Sequence, residues 1–270
     1  MEIIDSFLLG LIQGLTEFLP ISSSGHLVLG RALLGGRLAQ GITFEVVVHF
    51  GTLCSILIYY REELTEIVKS LIELAKAPAD VRRRARIDPN IRFSGYILLS
   101  MIPAVIVGLT LKDQIESLFL NPAAVSTMLL VTGCMLFATR FRNRFPLHIN
   151  AGRSFLIGLA QAFAILPGVS RSGSTISVGL YMGVKREEAA NFSFLMVIPV
   201  IAGAMAMQLL EIADKGIRLD AAVDLAIGFF TAFISGYFAL KYLIVLLKTR
   251  GIHPFAWYCW IVGGLGLVFL

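Results

Sequence analysis

Phe7-Leu-Leu-Gly-Leu-Ile-Gln13-Gly-Leu-Thr-Glu17-Phe-Leu-Pro20-Ile-Ser22-Ser23-Ser24-Gly25-His26 is an apolar helical run that breaks into a Ser/Gly turn where a membrane span would have to continue. The same break returns 148 positions later as Phe155-Leu-Ile-Gly-Leu-Ala-Gln161-Ala-Phe-Ala-Ile-Leu-Pro167-Gly-Val-Ser170-Arg171-Ser172-Gly173-Ser174. Eight of the twenty aligned pairs are identical, five in the helix and three in the turn. A duplicated helix break is the mark of a site formed between inverted repeats at half depth in a bilayer.

The rest of the chain supports a membrane setting. It is 57% hydrophobic and only 15% charged, against about 25% charged for soluble domains, and its mean hydropathy is +0.81. Apolar runs at 44–60, 93–111, 122–139, 189–210, 221–247 and 254–270 approach the length needed to cross a bilayer as helices. The N-terminus carries Glu2 and Asp5 and lacks the basic region of a signal peptide. The net charge of +5 is read as loop charge, which excludes a nucleic-acid partner as the explanation. Cys54, Cys134 and Cys259 lie in three different apolar runs without metal-ligand spacing and are expected to pack as small apolar residues.

Basic loops orient the spans. Arg61 to Arg92 (with Arg82-Arg83-Arg84-Ala-Arg86), Arg140 to Arg153 and Lys248-Thr-Arg250 are all placed inside. Counting from them puts residues 1–43 and the C-terminus outside, with hairpins 93–111/122–139 and 189–210/221–247. The fold class expected is therefore an all-α polytopic membrane protein of two inverted repeats, each a re-entrant broken hairpin plus three transmembrane helices. It forms one membrane domain over 1–270, with repeat one at about 1–140 and repeat two at about 150–270. The halves of the first dip are expected at 3–19 and 27–35. Residues 61–78 carry apolar side chains at helical spacing and read as an amphipathic helix at the inner interface.

The chemistry lies in the turns. Gln13 and Glu17 are four apart and share a helix face. An acid there costs about 2.5–3.5 kcal/mol by insertion scales unless paired, hydrated or metal-bound. His26 closes the first turn, and Arg171 lies in the second. Each turn leads into a short helix whose free N–H groups form an anion site, and Arg171 adds a planar bidentate donor. The pair reads as a phosphate or diphosphate cradle. Hydroxyls of Ser22, Ser23 and Ser24 are placed to donate to its oxygens.

Each motif also has a plainer reading. Ser-Ser-Ser-Gly alone is a helix cap. Gln161 is expected to make a helix–helix hydrogen bond, Glu45 and His49 to pair with each other, with His49 lining the cavity as the alternative, and Asn191 to be structural. There is no Walker loop, His-x-x-x-His pair or Gly-x-Ser-x-Gly elbow.

Gln13-x-x-x-Glu17-Phe-Leu-Pro20-x-Ser-Ser-Ser24-Gly25-His26, together with Pro167-Gly168-x-Ser170-Arg171-Ser172-Gly173, resembles the undecaprenyl-diphosphate phosphatase family, also called bacitracin-resistance proteins. The similarity extends to Phe44-Glu45-Val46, Ile102-Pro103-Ala104 and Phe192-Ser193-Phe194-Leu195. The family's first motif opens on Glu or Gln. Here it is Gln13, so only Glu17 is certain to carry charge.

The resemblance implies hydrolysis of a C55 isoprenyl diphosphate to the monophosphate lipid carrier of cell-wall synthesis. It further implies dependence on a divalent cation, Mg²⁺ or Ca²⁺, and a site in the bacterial inner (plasma) membrane opening toward the outer, periplasmic face. The catalytic residues expected are Glu17, Ser23, His26 and Arg171, with Glu17 also the metal ligand. Substrate contacts are expected from Gln13, Ser22, Ser24, Gly25, Ser170, Ser172, Gly173 and Ser174. A Ser23 hydroxyl activated by His26 is favoured over direct attack by His26, with water also open as the nucleophile. The partners expected are the polyprenyl diphosphate and membrane lipids, and a homodimer is left open. The alternative function is a transporter or flippase of polyprenyl phosphate lipids, since broken inverted repeats are typical of transporters.

Overall fold

The computed structural model of the chain is described over residues 3–33, 42–76, 83–84, 87–141, 146–203, 205–206 and 222–270. Expected features at positions 34–35, 77–78, 82, 85–86, 142–145, 204, 207–210 and 221 lie outside these residues. Among the described residues, regular structure is helical apart from one isolated bridge between Leu147 and Val184. The helices are α1 (Ile3–Phe18), α2 (Ser23–Leu33), α3 (Ile42–Tyr59), α4 (Arg61–Lys76), α5 (Pro89–Thr110) and α6 (Lys112–Leu118). After them come α7 (Pro122–Ala138), α8 (Ala151–Phe163), α9 (Arg171–Tyr181), α10 (Arg186–Leu195), α11 (Ala222–Thr249) and α12 (Phe255–Phe269).

Among the described residues, α5, α7 with its short extension to Phe141, and α11 are each long and apolar enough to cross a membrane. The apolar helix α12 is shorter, and α3 meets α4 at an 80° bend. That bend sends α4 across the end of the bundle with none of its residues buried, as an interfacial amphipathic helix requires.

Small residues let the first broken helix approach the long helix α11 closely. A Cβ on Gly10 would lie 2.6 Å from the Gly228 carbonyl oxygen, and one on Gly14 would lie 2.0 Å from Ser235 Oγ. Phe18, at the end of α1, faces Gly236, the middle of α11. This order makes α1 and α11 parallel. On the other side, Ser154 Oγ donates to the Tyr96 carbonyl and Gly158 abuts Ser100, so α8 runs parallel to α5. Helix α7 pairs antiparallel with α12 through Gly133 against Ala256 and Ser126 against Gly266.

The basic loops gather at one end. Arg186 Nη1 donates to the Leu247 carbonyl at 3.0 Å, closing the end of α11. Lys248 pairs with Glu187 at 3.3 Å, and His148 Nδ1 meets Glu188 at 2.9 Å. Helices α3, α7 and α11 end there, whereas α5, α8, α10 and α12 begin there. The two broken helices α1 and α8 therefore enter from opposite ends of the bundle.

Two expected boundaries are corrected. The second half of the first dip starts at Ser23, not at 27, because Ser22 caps it: Ser22 Oγ accepts from the Gly25 amide at 3.2 Å. The expected continuous span 189–210 is broken, since α10 ends at Leu195 and helix resumes only at 197. Pro199 explains the break: its ring clashes with the carbonyl four residues back, that of Leu195, and it has no N–H to return.

Candidate active site

The two turns make the same side-chain cap. Under the 148-residue shift, α2 and α9 coincide end for end, each eleven residues long. Ser170 Oγ accepts from the Gly173 amide at 3.1 Å, just as Ser22 serves Gly25. The paired hydroxyls Ser22–Ser24 and Ser170–Ser172 both stand 3.3 Å apart. The cap reading of Ser-Ser-Ser-Gly is therefore right for Ser22, and Ser170 makes the same cap in the second turn.

The turns touch. A Cβ on Gly25 would lie 3.2 Å from Gly168 Cα, and Ser172 Oγ reaches the Leu19 carbonyl at 3.4 Å. Gly168 takes φ +91°, which a side chain would strain, and a Cβ there would lie 2.2 Å from the Val125 carbonyl oxygen. The second turn is fixed to the middle of α7 by Thr132, whose Oγ1 donates to the Gly168 carbonyl at 3.0 Å and accepts from the Ser170 amide at 3.1 Å. With Phe18 at the middle of α11, both breaks lie at half the length of the spanning helices.

Glu17 is the centre of the contacts across this junction. Its Oε1 accepts from Arg171 Nη2 at 2.8 Å, and both side chains are largely buried. Its Oε2 accepts from Gln13 Nε2 at 3.0 Å and from Ser23 Oγ at 2.9 Å. Ser23 and Arg171 are equivalent positions of the two motifs, so the duplicated turns offer both their equivalent side chains to one carboxylate. Arg171 Nη1 also points to the Ser193 carbonyl at 3.5 Å, beside the break at the end of α10. A desolvated ion pair of this kind is retained only with good geometry and additional hydrogen bonds, and Gln13 and Ser23 provide them.

His26 is engaged elsewhere than expected. Its Nδ1 meets the Ser22 carbonyl at 2.7 Å and its Nε2 meets the Tyr258 hydroxyl at 2.8 Å. A carbonyl only accepts, so Nδ1 carries the proton and, in the neutral ring, Tyr258 donates to Nε2. The two rings stack with centroids 5.5 Å apart. Thus the Ser23 hydroxyl is held by Glu17 and not by His26. Ser22, whose carbonyl orients the imidazole, has φ +69°. For a residue with a Cβ this strain costs about 1–3 kcal/mol and is typical of functional turns.

The remaining expected residues divide by exposure. Ser23 and Ser24 are half-buried, while Ser22, Ser170, Ser172 and Ser174 are buried. Ser174 points to the Met135 sulfur at 3.8 Å, away from Glu17's partners. His49 Nδ1 meets the main-chain carbonyl of Glu45 at 2.8 Å, and Asn191 accepts from Tyr60 at 3.0 Å as a structural contact. The hydrogen bond expected of Gln161 is not formed: both its amide atoms are buried without a partner. Gln13 has Glu17 four residues on, whereas Gln161 has Ile165 at that place. Sequence reasoning missed Tyr258, which is 232 positions from His26 and belongs to no motif.

Among the described residues, no group of three or more His, Cys, Asp or Glu is arranged to hold a metal. The donors nevertheless suit a hard cation. Gln13 Oε1 is buried with no hydrogen-bond partner. Glu17 has about four lone-pair sites, three of them taken by Arg171, Gln13 and Ser23. One carboxylate and one amide oxygen, completed by water and substrate oxygens, is a usual Mg²⁺ arrangement.

Several apolar helices, with an acid–arginine pair buried where two broken ones meet, define a multi-pass membrane protein with a polar centre at half depth. Its sequence places it among known proteins. The chain belongs to the bacitracin resistance protein BacA family, which matches residues 6–265. An undecaprenyl-diphosphatase of Salinibacter ruber is 41% identical over 264 residues, covering 97% of each chain. One of Desulfosudis oleivorans is 42% identical over 272 residues, covering 99% of this chain and 98% of the relative. One of Christiangramia forsetii is 40% identical over 272 residues, covering 100% and 98%.

Proposed function

We propose that this protein is an integral-membrane phosphatase that hydrolyses undecaprenyl diphosphate to undecaprenyl phosphate and inorganic phosphate, recycling the lipid carrier of cell-wall synthesis. Membership of the family and the full-length likeness to proteins named undecaprenyl-diphosphatase support the activity. The observation that carries the site is the Glu17–Arg171 pair at 2.8 Å, which joins the two turns. The two halves act as inverted repeats, a reading supported by the opposite entry of α1 and α8. The site opens toward the periplasmic face of the inner membrane, away from the end where Arg186, Lys248 and Arg250 gather.

In this reading Arg171 turns from Glu17 to the phosphoryl oxygens of the incoming diphosphate and clamps two at once. The amides at the start of α2 and α9 add partial positive charge. Ser23 Oγ attacks the terminal phosphorus in line and breaks the bond to the bridging oxygen. Its proton passes to Glu17 Oε2, its hydrogen-bond partner, and then to the departing monophosphate. Water then attacks the phosphorus and breaks its bond to Ser23 Oγ, releasing inorganic phosphate. His26 Nε2 accepts the water proton once Tyr258 yields, and that proton returns to Ser23 Oγ. Glu17 and the Gln13 amide oxygen would hold a divalent cation, which when bound neutralises phosphoryl charge.

Purified protein in detergent tests this directly. It is expected to release phosphate from undecaprenyl diphosphate, to lose that activity with a chelator and to regain it with Mg²⁺ or Ca²⁺. Binding of the lipid without release would favour the transporter or flippase reading, because no membrane remains to be crossed.

A further inference from the structure

Two spans, α7 with its extension to Phe141 and α11, which stops at Thr249, end at one small cavity of about 240 Å³. Arg140 from that extension, Arg186 at the start of α10, Arg250 beyond α11 and His253 before α12 all line it, and no acid does. The acids next to Arg186 in sequence are paired elsewhere, Glu187 with Lys248 at 3.3 Å and Glu188 with His148 at 2.9 Å. They line a separate cavity of about 790 Å³, together with Glu63 and Glu66. Among the described residues, Arg140 and Arg250 make no ion pair or side-chain hydrogen bond.

Arg186 is only partly satisfied. Its Nη1 donates to the carbonyls of Leu247, Lys248 and Thr249 at 3.0, 3.3 and 3.4 Å, the last turn of α11. That leaves the Nε–Nη2 edge of the guanidinium, and Nε is buried without a partner. Gly251, at φ +84°, sets this edge beside the imidazole: a Cβ there would lie 3.6 Å from Arg186 Nη2 and 3.8 Å from His253 Nδ1. A buried N–H without an acceptor costs free energy, and three guanidiniums around one small space repel one another. An oxyanion relieves both, because a guanidinium edge meets two oxygens of a phosphate at once.

We propose that this cavity is a phosphate site separate from the two turns, and that an anionic phospholipid of the membrane supplies the phosphate. Arg250 lies fourteen residues beyond Gly236, the position that faces Phe18, which is about 20 Å along a helix. No residue of either turn lines the cavity, so the inference stands apart from the phosphatase reading. Two spans end here, which sets the cavity at the depth of lipid headgroups. An exposed aromatic surface continues from it: Phe141, beside Arg140, and Trp257, four residues beyond His253, both pack on Phe137, with ring centroids 6.0 and 6.4 Å apart. Aromatic side chains take this position at a membrane interface, and a basic pocket between spans suits an anionic headgroup there. A phospholipid gains acyl-chain contact on these rings as well as the phosphate contact, whereas inorganic phosphate gains only the second.

The test is thermal unfolding of the purified full chain in neutral detergent, with phosphatidylglycerol, phosphatidylcholine or inorganic phosphate added at equal phosphate concentration. Phosphatidylglycerol is expected to raise the melting temperature by about 4 °C or more, and each of the others by less than about a third of that. Arg140→Gln and Arg250→Gln, both at exposed positions, should each weaken the apparent affinity for phosphatidylglycerol about 5-fold, and together they should abolish the shift. Arg92→Gln removes an exposed charge from the same end without touching the cavity and should keep the shift. Phospholipid phosphorus retained after transfer to lipid-free detergent gives a second reading, expected to be lower in the Arg140→Gln single variant than in wild type, and it serves if the double variant does not fold. Equal shifts in wild type and double variant, or none in either, would overturn the phosphate site. So would an equal loss in Arg92→Gln, which would reduce the effect to general surface charge, and so would an equal shift with phosphatidylcholine, which would reduce it to chain contact. A shift as large with inorganic phosphate would overturn the lipid as the source.

Discussion

The first turn holds Glu17, Ser23 and His26; the second, built on the same cap and the same eleven-residue helix, holds Ile165, Arg171 and Ser174 at the equivalent positions. Where the copies agree, at Ser22/Ser170 and Gly25/Gly173, they make the turn. Where they differ, they divide the chemistry, with the acid and the imidazole on one side and the cation on the other. In the proposed site the two turns touch at Gly25 and Gly168, and the differing side chains make that meeting asymmetric. An asymmetric site can hold a diphosphate with its reacting phosphorus in one defined place.

The largest effect should come from breaking the asymmetry at its centre. Glu17→Gln keeps the volume but removes the charge that Arg171, Ser23 and Gln13 all address. We expect kcat/KM on a soluble short-chain diphosphate to fall at least 10³-fold, with no rescue by saturating Mg²⁺. It also leaves a buried guanidinium unpaired, at about 3 kcal/mol, so the melting temperature should drop, and pairing the change with Arg171→Gln should restore stability but not turnover. Near-normal activity in Mg²⁺ would remove Glu17 from the metal and proton roles.

Next comes the second turn. Arg171→Lys retains positive charge and loses the bidentate fork. Its kcat/KM should fall by roughly 10²-fold or more, about 2.7 kcal/mol of transition-state stabilisation, and Arg171→Ala should be worse. Turnover close to wild type for the lysine variant would mean that potential alone suffices at this turn.

Tyr258→Phe keeps the stacking on His26 and removes one hydrogen bond. Such a bond contributes about 0.5–1.5 kcal/mol, so we expect a loss of about 3- to 10-fold in kcat/KM with the fold unchanged. Because Ser174, the counterpart of His26, faces Met135, Ser174→Ala should leave kcat/KM within about 2-fold.

The smallest effects probe what the turns share. Ser22→Ala and Ser170→Ala should each cost about 1 kcal/mol of stability in thermal melts. Glycine separates them: Ser22, at φ +69°, gains relief of strain from Gly, while Ser170, at φ −74°, does not.

Much of this arrangement was legible in the sequence. Gln13 and Glu17 four apart had to share a helix face, and an acid and an arginine in apolar breaks had reason to find each other. The start of α2 at Ser23 is written in the Ser-Ser-Ser-Gly cap, four positions before the apolar run that suggests a start at 27. The break at Met196 followed from Pro199, which an apolar run of otherwise spanning character concealed. Tyr258 was beyond reach, since its partner is chosen by the packing of α12 against the first turn and no local spacing records it. Gln161 shows the limit from the other side: the repeat carried the residue over without the acid that satisfies it in the first copy.

The central claim is that the two turns act on one phosphoryl group as a single site. A double-mutant cycle on kcat/KM with Glu17→Gln, Arg171→Lys and the combined variant measures this directly. The account predicts strong non-additivity, with the combined variant within about 3-fold of the more damaging single change. Losses that multiply, each at its full size, would show that Glu17 and Arg171 act independently and would contradict the shared site.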